Sequence, residues 1–207
     1  MTPSPFQFSD EPHRRRHGPS GYQTYTGFKP WLRDEFAFRC VYCLERELWY
    51  PDREDSFSVD HVVPRSEDSD LIGEYGNLVY ACTRCNSSKQ ELRLLDPTAC
   101  GFAEHLELGV DGIFVGRTPG GADLIDCLNL NGIPALEVRR SYLRVLRLKE
   151  KYPNDPEVHQ LYVGAFGYPD NMPDLRTLRA PGGNQRSGSE LACYFILRQR
   201  GDLDEIY

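Results

Sequence analysis

Two pairs of cysteines constrain this chain more than any other feature of its sequence. Cys40 is followed by Cys43, and Cys82 by Cys85, so two residues separate the members of each pair. This spacing lets one turn present both sulfurs to a single metal ion, and two such turns complete a tetrahedral site. Four thiolates leave no open position for water, so the sequence predicts a structural Zn²⁺ site. Four unrelated core cysteines are the disfavoured alternative, because two such pairs rarely arise by chance in a chain with seven cysteines.

The expected redox compartment supports the same interpretation. The amino terminus lacks the apolar core of a secretory signal, and no apolar run approaches the roughly 20 residues that a membrane helix needs. We therefore expect a cytoplasmic protein with no membrane contact, in which cysteines stay reduced and paired cysteines act as metal ligands. The three other cysteines have no close partner and are expected to be ordinary buried side chains.

Three regions of the chain differ in composition and patterning. Residues 1–30 are rich in Pro, Gly, Ser and Arg and are predicted to form a flexible basic arm. Residues 31–96 contain both cysteine pairs and form the predicted core. Residues 97–207 are predicted to be an accessory region of mixed helices and strands, with an amphipathic basic helix near residues 136–151.

The pattern of the core is strand, loop, strand and helix. Residues 57–63 are rich in β-branched and aromatic side chains and end at Pro64, and residues 77–81 form a second run of this kind. From residue 83 to residue 94 the pattern becomes helical and stops before an Asp-Pro pair. The sequence thus predicts an α+β fold with a small core of two strands and a helix.

The residues between the cysteine pairs offer the groups that phosphodiester hydrolysis needs. A water molecule must lose a proton, and the imidazole of His61, with an ordinary pKa of about 6.5, suits that task. A hard divalent cation can stabilise the phosphate and the departing oxygen, and it prefers oxygen ligands. Asp60 and Asn86 offer one carboxylate and one amide oxygen. Singly, each residue has an ordinary structural explanation, but their order inside one cysteine framework favours the catalytic one.

This order of motifs resembles a known nuclease family. Between residues 31 and 95 the chain has CxxC, then Asp-His with Pro after two intervening residues, then Gly-Asn-Leu, then CxxCNxxK. The arrangement is similar to the HNH nucleases of the ββα-metal, or His-Me finger, superfamily. The resemblance implies a ββα-metal core with a four-cysteine zinc site, and the activity of a metal-dependent endonuclease.

The same resemblance implies a role for each residue of the motif. His61 is the implied general base, and Asp60 and Asn86 are the implied ligands of a catalytic Mg²⁺ or Mn²⁺. Asn77 is implied to hold the loop that carries His61, and Lys89 to contact phosphate. Because neighbours on a regular strand point to opposite faces, the resemblance also implies a local distortion that brings Asp60 and His61 to one metal centre.

The charge distribution bears on how nucleic acid is bound. The chain carries a net charge of −7, whereas proteins that bind DNA unaided are usually basic on at least one face. One face of the predicted helix offers the main candidates for backbone contact, Arg140, Arg144, Arg147 and Lys151, with a solvated helix face as the alternative. Three further candidates lie nearer the predicted site in sequence: Arg65, Arg84 and Lys89. A partner protein that delivers DNA is therefore a hypothesis, and a nuclease effector in phage defence would fit it.

Three functional hypotheses follow from the sequence. The first is an endonuclease that acts on DNA, with RNA left open and a homodimer favoured if each site cuts one strand of a duplex. The second is a non-catalytic zinc module that binds nucleic acid, and the third is a protein-interaction module. Neither alternative requires Asp60, His61 and Asn86, so the presence of all three favours the endonuclease.

Overall fold

The computed structural model describes residues 5–206 and shows small sheets combined with mostly short helices. The strands are β1 (Phe57–His61), β2 (Leu78–Cys82), β3 (Leu106–Leu108) and β4 (Phe114–Gly116). The helices are α1 (Lys29–Glu35), α2 (Thr83–Lys89), α3 (Pro119–Cys127), α4 (Ile133–Lys151), α5 (Pro156–Phe166) and α6 (Tyr194–Arg200). The predicted α+β class is confirmed.

Strands β1 and β2 form an antiparallel pair that carries helix α2. Their register runs from Phe57 opposite Cys82 to His61 opposite Leu78. Helix α2 begins directly after Cys82 and packs against both strands. The predicted order of strand, strand and helix is therefore present, although β1 ends at His61, before the predicted end at residue 63.

Helix α2 ends at Lys89, earlier than the predicted end at residue 94. Gln90 adopts φ 50° and ψ −124°, which lies outside the helical region, so the chain leaves the helix there. The side chain of Lys89 is buried and donates a hydrogen bond to the main-chain oxygen of His61 at 2.7 Å. This bond fixes the last helical turn against β1, and the chain that follows runs back toward the loop after β1.

The amino-terminal segment packs against the core, which corrects the prediction of a flexible arm for residues 5–30. Residues 1–4 of that prediction lie outside the described residues. Phe6, Phe8 and Phe28 are buried, and the buried imidazole of His17 lies 2.8 Å from the carboxylate of Asp34. Phe6, Phe8 and Phe28 do not belong to a sustained helical or strand pattern. The sequence therefore did not reveal that each of them is buried.

The region after α2 packs on the two-strand core. Strands β3 and β4 pair antiparallel, and α3 packs on β4. Helix α4 includes the predicted amphipathic helix and packs against α5. Tyr142 of α4 stacks on Trp49 with ring centroids 3.9 Å apart, so the cysteine-bearing half and the carboxyl-terminal half share aromatic packing. Across the described residues, no helix has the length and apolar character needed to cross a membrane.

Candidate active site and metal centre

The four cysteines of the two pairs meet at one point inside the fold. Their sulfurs all lie within 4.8 Å of one another, all four residues are buried, and the sulfurs of Cys43 and Cys82 are 3.8 Å apart. A zinc ion about 2.3 Å from each sulfur sets neighbouring sulfurs of a tetrahedron about 3.8 Å apart. The donor set and its spacing therefore fit a bound metal ion of this kind.

Local backbone geometry brings each pair into the cluster. Around the first pair, the amide of Cys40 donates to the oxygen of Glu45 at 2.8 Å and that of Leu44 donates to Cys40 at 3.0 Å. Leu44 has φ 61°, a left-handed conformation that reverses the chain directly after the first pair. In the second pair, the sulfur of Cys82 caps α2 by accepting from the amide of Cys85 at 3.5 Å.

His61 is the last residue of β1 and its ring has a defined orientation. Its Nε2 lies 3.1 Å from the main-chain oxygen of Ile72. A carbonyl oxygen only accepts, so this contact places the ring proton on Nε2 and leaves the lone pair on Nδ1. Burial, the largest effect, lowers the pKa of His61, against the opposing effects of Ile72 and of the Asp60 carboxylate. The imidazole is therefore neutral at pH 7 and able to accept a proton at Nδ1.

Asp60 lies beside His61 with both carboxylate oxygens engaged. Its Oδ2 accepts from the hydroxyl of Tyr42 at 2.7 Å. Its Oδ1 accepts from the amide of His61 at 2.8 Å and from the ammonium of Lys89 at 3.3 Å. Burial, the largest effect, raises the pKa of Asp60, while Lys89 and Tyr42 oppose that rise. Oδ1 thus accepts from two donors and Oδ2 from one, so Oδ2 has a second lone pair with which this carboxylate can still serve a cation.

A narrow cleft of about 70 Å³ has Asp60, His61 and Asn86 together in its wall. The amide of His61 donates a hydrogen bond to the carboxylate of Asp60, which directs that carboxylate toward the next residue along β1. Two neighbouring residues of β1 therefore line the same cleft. Asn86 donates through Nδ2 to the hydroxyl of Ser58 at 2.8 Å and to the oxygen of Val59 at 3.4 Å. Because a carbonyl only accepts, the amide nitrogen faces β1 and the amide oxygen is left for another partner.

Asn77 connects the two ends of the loop between β1 and β2. Its Oδ1 accepts from the amide of Val63 at 2.8 Å, and its Nδ2 donates to the oxygens of Val63 and Leu71 at 3.1 and 3.2 Å. Leu71 directly precedes Ile72, whose carbonyl orients His61. The side chain of Asn77 therefore holds both the chain that follows His61 and the chain that orients its ring.

Three residues near the cleft were predicted to contact phosphate, and the structure places them in different environments: Arg65, Arg84 and Lys89. Lys89 is buried and its ammonium points inward to Asp60 and His61, so the structure does not present it to a phosphate. Arg84 forms an ion pair with Glu45 at 2.8 Å. Burial, the largest single effect, lowers the pKa of Arg84, but the nearby cysteine sulfurs and Glu45 together raise it above its ordinary value. Arg65 lines the cleft with half of its side chain exposed. Arg65 alone of these three is positioned to meet a ligand entering the cleft.

The three arginines of α4 that were predicted to contact DNA, Arg140, Arg144 and Arg147, lie on an exposed face, and the structure does not bring them into the cleft. Arg140 donates to the oxygen of Asp111 at 2.8 Å, and Arg147 donates to the oxygen of Val110. Arg144 is exposed on the same face. Two of the three thus hold the turn between β3 and β4, which the helical pattern alone could not show.

Three residues of the site were missed by the sequence analysis. Tyr25 packs edge-on against His61 with ring centroids 4.7 Å apart, Tyr42 binds Asp60, and Ile72 orients His61 through its carbonyl. Tyr42 stands between the first two cysteines, and that position was an available signal. Tyr25 comes from the segment expected to be a flexible arm, and Ile72 acts through main chain that any residue could supply.

The cysteine-bearing core is similar to a known protein family. Residues 40–91 match the family model described as HNH endonuclease. We call this part of the chain the HNH unit. The match contains the four cysteines, Asp60, His61, Asn77 and Asn86, so the HNH unit holds both the cysteine cluster and the cleft.

A wider similarity reaches beyond the HNH unit. The chain is 25% identical over 139 residues to the Septu protein PtuB of Bacillus thuringiensis, an alignment that covers 62% of this chain and 51% of that protein. The chain thus spans about half the length of the curated relative that it matches. No solved structure matches the chain significantly.

Proposed function

We propose that this chain is a metal-dependent endonuclease that hydrolyses phosphodiester bonds in DNA, with His61 as the general base. The observation that carries the proposal is the orientation of His61. The Ile72 carbonyl accepts a hydrogen bond from Nε2, so Nδ1 is the basic nitrogen, in a cleft whose wall also contains Asp60 and Asn86. The match of residues 40–91 to the HNH endonuclease family supports the same activity.

In the proposed reaction His61 removes a proton from the attacking water. Its lowered pKa keeps the ring neutral at physiological pH, which is the state that a base requires. The contact from Nε2 to Ile72 remains after proton uptake, so the ring keeps its orientation while Nδ1 carries the proton. Tyr25 packs against the His61 ring in a T-shaped arrangement and limits its rotation.

Asp60 and Asn86 would hold the divalent cation, as Mg²⁺ or Mn²⁺. Their donor set is one carboxylate and one amide oxygen, which matches the preference of hard cations for oxygen. When bound, the cation would supply positive charge to the phosphate and to the departing oxygen. Tyr42 and Lys89 hold the Asp60 carboxylate in place, and Ser58 fixes the amide of Asn86.

The four cysteines would hold a structural Zn²⁺ that supports the cleft. Asn86 follows Cys85 directly on α2, and Tyr42 lies between the cysteines of the first pair. A metal ion bound by both cysteine pairs would therefore fix the positions of Asn86, the proposed cation ligand, and of Tyr42, which binds Asp60. We propose that the zinc takes no part in the chemical step, since four thiolates leave it no open position.

Delivery of DNA is proposed to involve a partner protein. The chain carries a net charge of −7, and two of the predicted DNA-binding arginines are engaged with main-chain oxygens. Weak binding of DNA by the chain alone follows from this charge balance. The similarity to PtuB covers about half of that protein.

The proposal is tested by nicking of supercoiled plasmid with the zinc-loaded protein, in Mg²⁺ and in EDTA. We expect cleavage in Mg²⁺ and none in EDTA applied briefly enough to leave the zinc in place, which metal analysis verifies. Asn86→Ala should lower the rate because it removes one of two protein ligands of the cation. The matched control is Asn129→Ala, which lies after α3 and outside the cleft. Equal cleavage by wild type in Mg²⁺ and in EDTA would contradict the proposal.

A further inference from the structure

The HNH cleft is small as the structure stands. Its volume is about 70 Å³, whereas pockets that enclose small-molecule ligands begin at roughly 300 Å³. The groups at the entrance of the cleft therefore meet a nucleic acid before His61 does. The contacts that hold the two walls of the cleft together control how far a phosphodiester can enter.

Two ion pairs, one in the wall of the cleft and one next to it in sequence, join the loop that follows β1 to the chain that follows α2. Glu91, just after α2, accepts from the amide and the hydroxyl of Ser66 at 3.2 and 2.9 Å and lies 3.6 Å from the guanidinium of Arg65. Arg93, two residues further on, pairs in the opposite sense with Glu67. We call these five residues the clasp. It connects the loop that follows β1 to the chain that follows α2.

Arg65 places the clasp at the entrance to the catalytic residues. Arg65 and Glu91 both line the cleft together with His61. The guanidinium of Arg65 lies 5.8 Å from the ring centroid of Tyr25, which packs against His61 in a T-shaped arrangement. Gln90, with its positive φ, also lines the cleft and forms the turn that directs Glu91 toward the loop.

We propose that Arg65 and Arg93 are phosphate-binding residues of the HNH cleft that Glu91 and Glu67 cover, and that the phosphates of duplex DNA replace these carboxylates when the cleft opens. The inference rests on the proposed function. A phosphate offers a guanidinium the same paired oxygens as a carboxylate, so the arginines exchange one anion for another. All four side chains are about half exposed, and exposed ion pairs are weak enough for a polyanion to displace.

The clasp also explains how a chain with a net charge of −7 could bind DNA at this cleft. With the clasp closed, each arginine is neutralised by its own carboxylate, and the entrance offers phosphate little net positive charge. With the clasp open, Arg65 separates from Glu91 and Arg93 separates from Glu67, so each guanidinium can pair with a phosphate instead. The bonds from Ser66 are the main cause of the lowered pKa of Glu91, so these contacts favour its charged form.

The test measures binding of a short fluorescent DNA duplex to zinc-loaded His61→Ala protein over a series of KCl concentrations, so that no cleavage intervenes. Each phosphate contact contributes a slope of about −0.9 to log affinity against log salt. Arg65→Ala/Arg93→Ala should therefore reduce the slope by about 1.8. Arg65→Lys/Arg93→Lys should keep the slope, since each lysine retains the charge that releases counterions.

Glu67→Gln/Glu91→Gln removes the covering charges and should tighten binding. Because exposed ion pairs are weak, we expect a gain in affinity of about 1.4- to 5-fold per carboxylate. The matched control is Arg117→Ala, because Arg117 and Glu107 form an equally exposed pair that lies beside β3 and β4 and not at the cleft. The control should leave the slope unchanged.

The outcomes separate this inference from the proposed function. A slope that Arg65→Ala/Arg93→Ala leaves unchanged, in a protein that binds duplex DNA, would overturn the clasp and leave the nuclease proposal standing. An equal loss of slope in Arg117→Ala would also overturn it, since the effect would then reflect surface charge in general. If wild type neither binds nor cuts DNA, the proposed function fails, and the inference fails with it.

Discussion

The most informative stability test concerns Glu35, the last residue of α1. Its carboxylate is fully buried and accepts four hydrogen bonds. Oε1 accepts from Nε2 of His13 and from the amide of Arg16, both at 2.7 Å. Oε2 accepts from the amide of His17 at 2.9 Å and from the hydroxyl of Tyr75 at 3.0 Å. One carboxylate thus ties the amino-terminal segment to the turn that leads into β2.

The pKa of Glu35 gives the size of this contribution. Burial, the largest single effect, raises the pKa, but the bonds from His13, Arg16 and His17 together outweigh it and lower the pKa from 4.5 to about 2. A difference of about 2.5 units at about 1.4 kcal/mol per unit corresponds to about 3 kcal/mol of stability at pH 7. Because the folded-state pKa is depressed, this stability is present above pH 4.5 and is lost as the pH falls from 4.5 toward 2.

We therefore expect Glu35→Gln to lose about 3 kcal/mol of unfolding free energy at pH 7, because the neutral amide attracts the four donors less and points its own donors at two of them. Urea unfolding of variant and wild type at pH 7 and at pH 3.5 provides the measurement. The difference between them should be smaller at pH 3.5, because Glu35 is largely protonated in the unfolded chain there while the folded protein keeps its charge, so that part of the stabilisation is already lost. The comparison cancels any loss of metal common to both proteins.

The control for Glu35 is Glu107→Gln, an exposed carboxylate that pairs with Arg117 at 2.7 Å. It should change stability by no more than about 1 kcal/mol, the upper end for exposed ion pairs. If Glu35→Gln costs no more than this control at pH 7, then the buried carboxylate does not hold the amino-terminal segment as described, and the reasoning is refuted.

Three further predictions concern the cleft. Asn77→Ala should lower the nicking rate by about 10- to 100-fold with zinc content unchanged, because the loop that orients His61 loses its ties; a normal rate would contradict the positioning role. Cys43→Ser should lower both zinc content, measured by metal analysis, and nicking, because Asn86 loses its anchor; zinc loss with full activity would contradict the coupling. The nicking rate of wild type should rise with pH, because His61 must be neutral to accept a proton. Since burial lowers the pKa of His61, the rate should reach half its maximum below the ordinary histidine pKa of about 6.5. A midpoint above that value would contradict the buried environment of His61.

The HNH unit was predictable because its sequence constraints are local and specific. Two CxxC spacings allow few arrangements other than a shared metal, and the sulfurs do meet within 4.8 Å. The strands were readable because β-branched and aromatic residues run from Phe57 toward Pro64 and again before Cys82. The approach of Asp60 and His61 to one cleft was implied only by the resemblance, because neighbours on a regular strand point to opposite faces.

The parts that sequence did not predict depend on contacts distant in the chain. Phe6 and Phe8 look like isolated apolar residues in a polar segment, yet each is buried against aromatic residues more than forty positions away. Lys89 looks like a phosphate ligand because its charge is visible in the sequence, whereas the acceptors that bury it, Asp60 and His61, are assembled only by the fold. Periodicity reports which face of an element is apolar and carries no information about such pairings.

The direct test of the account is the nicking rate of His61→Ala compared with that of wild type, both loaded with zinc and assayed in Mg²⁺. His159→Ala is the matched control, since His159 lies exposed on α5 beside Glu205. Loss of a general base predicts a fall of roughly 10²- to 10⁴-fold for His61→Ala, with zinc content and DNA affinity unchanged and the control unaffected. Cleavage at the wild-type rate by folded, zinc-loaded His61→Ala would contradict the assignment of His61 as the base.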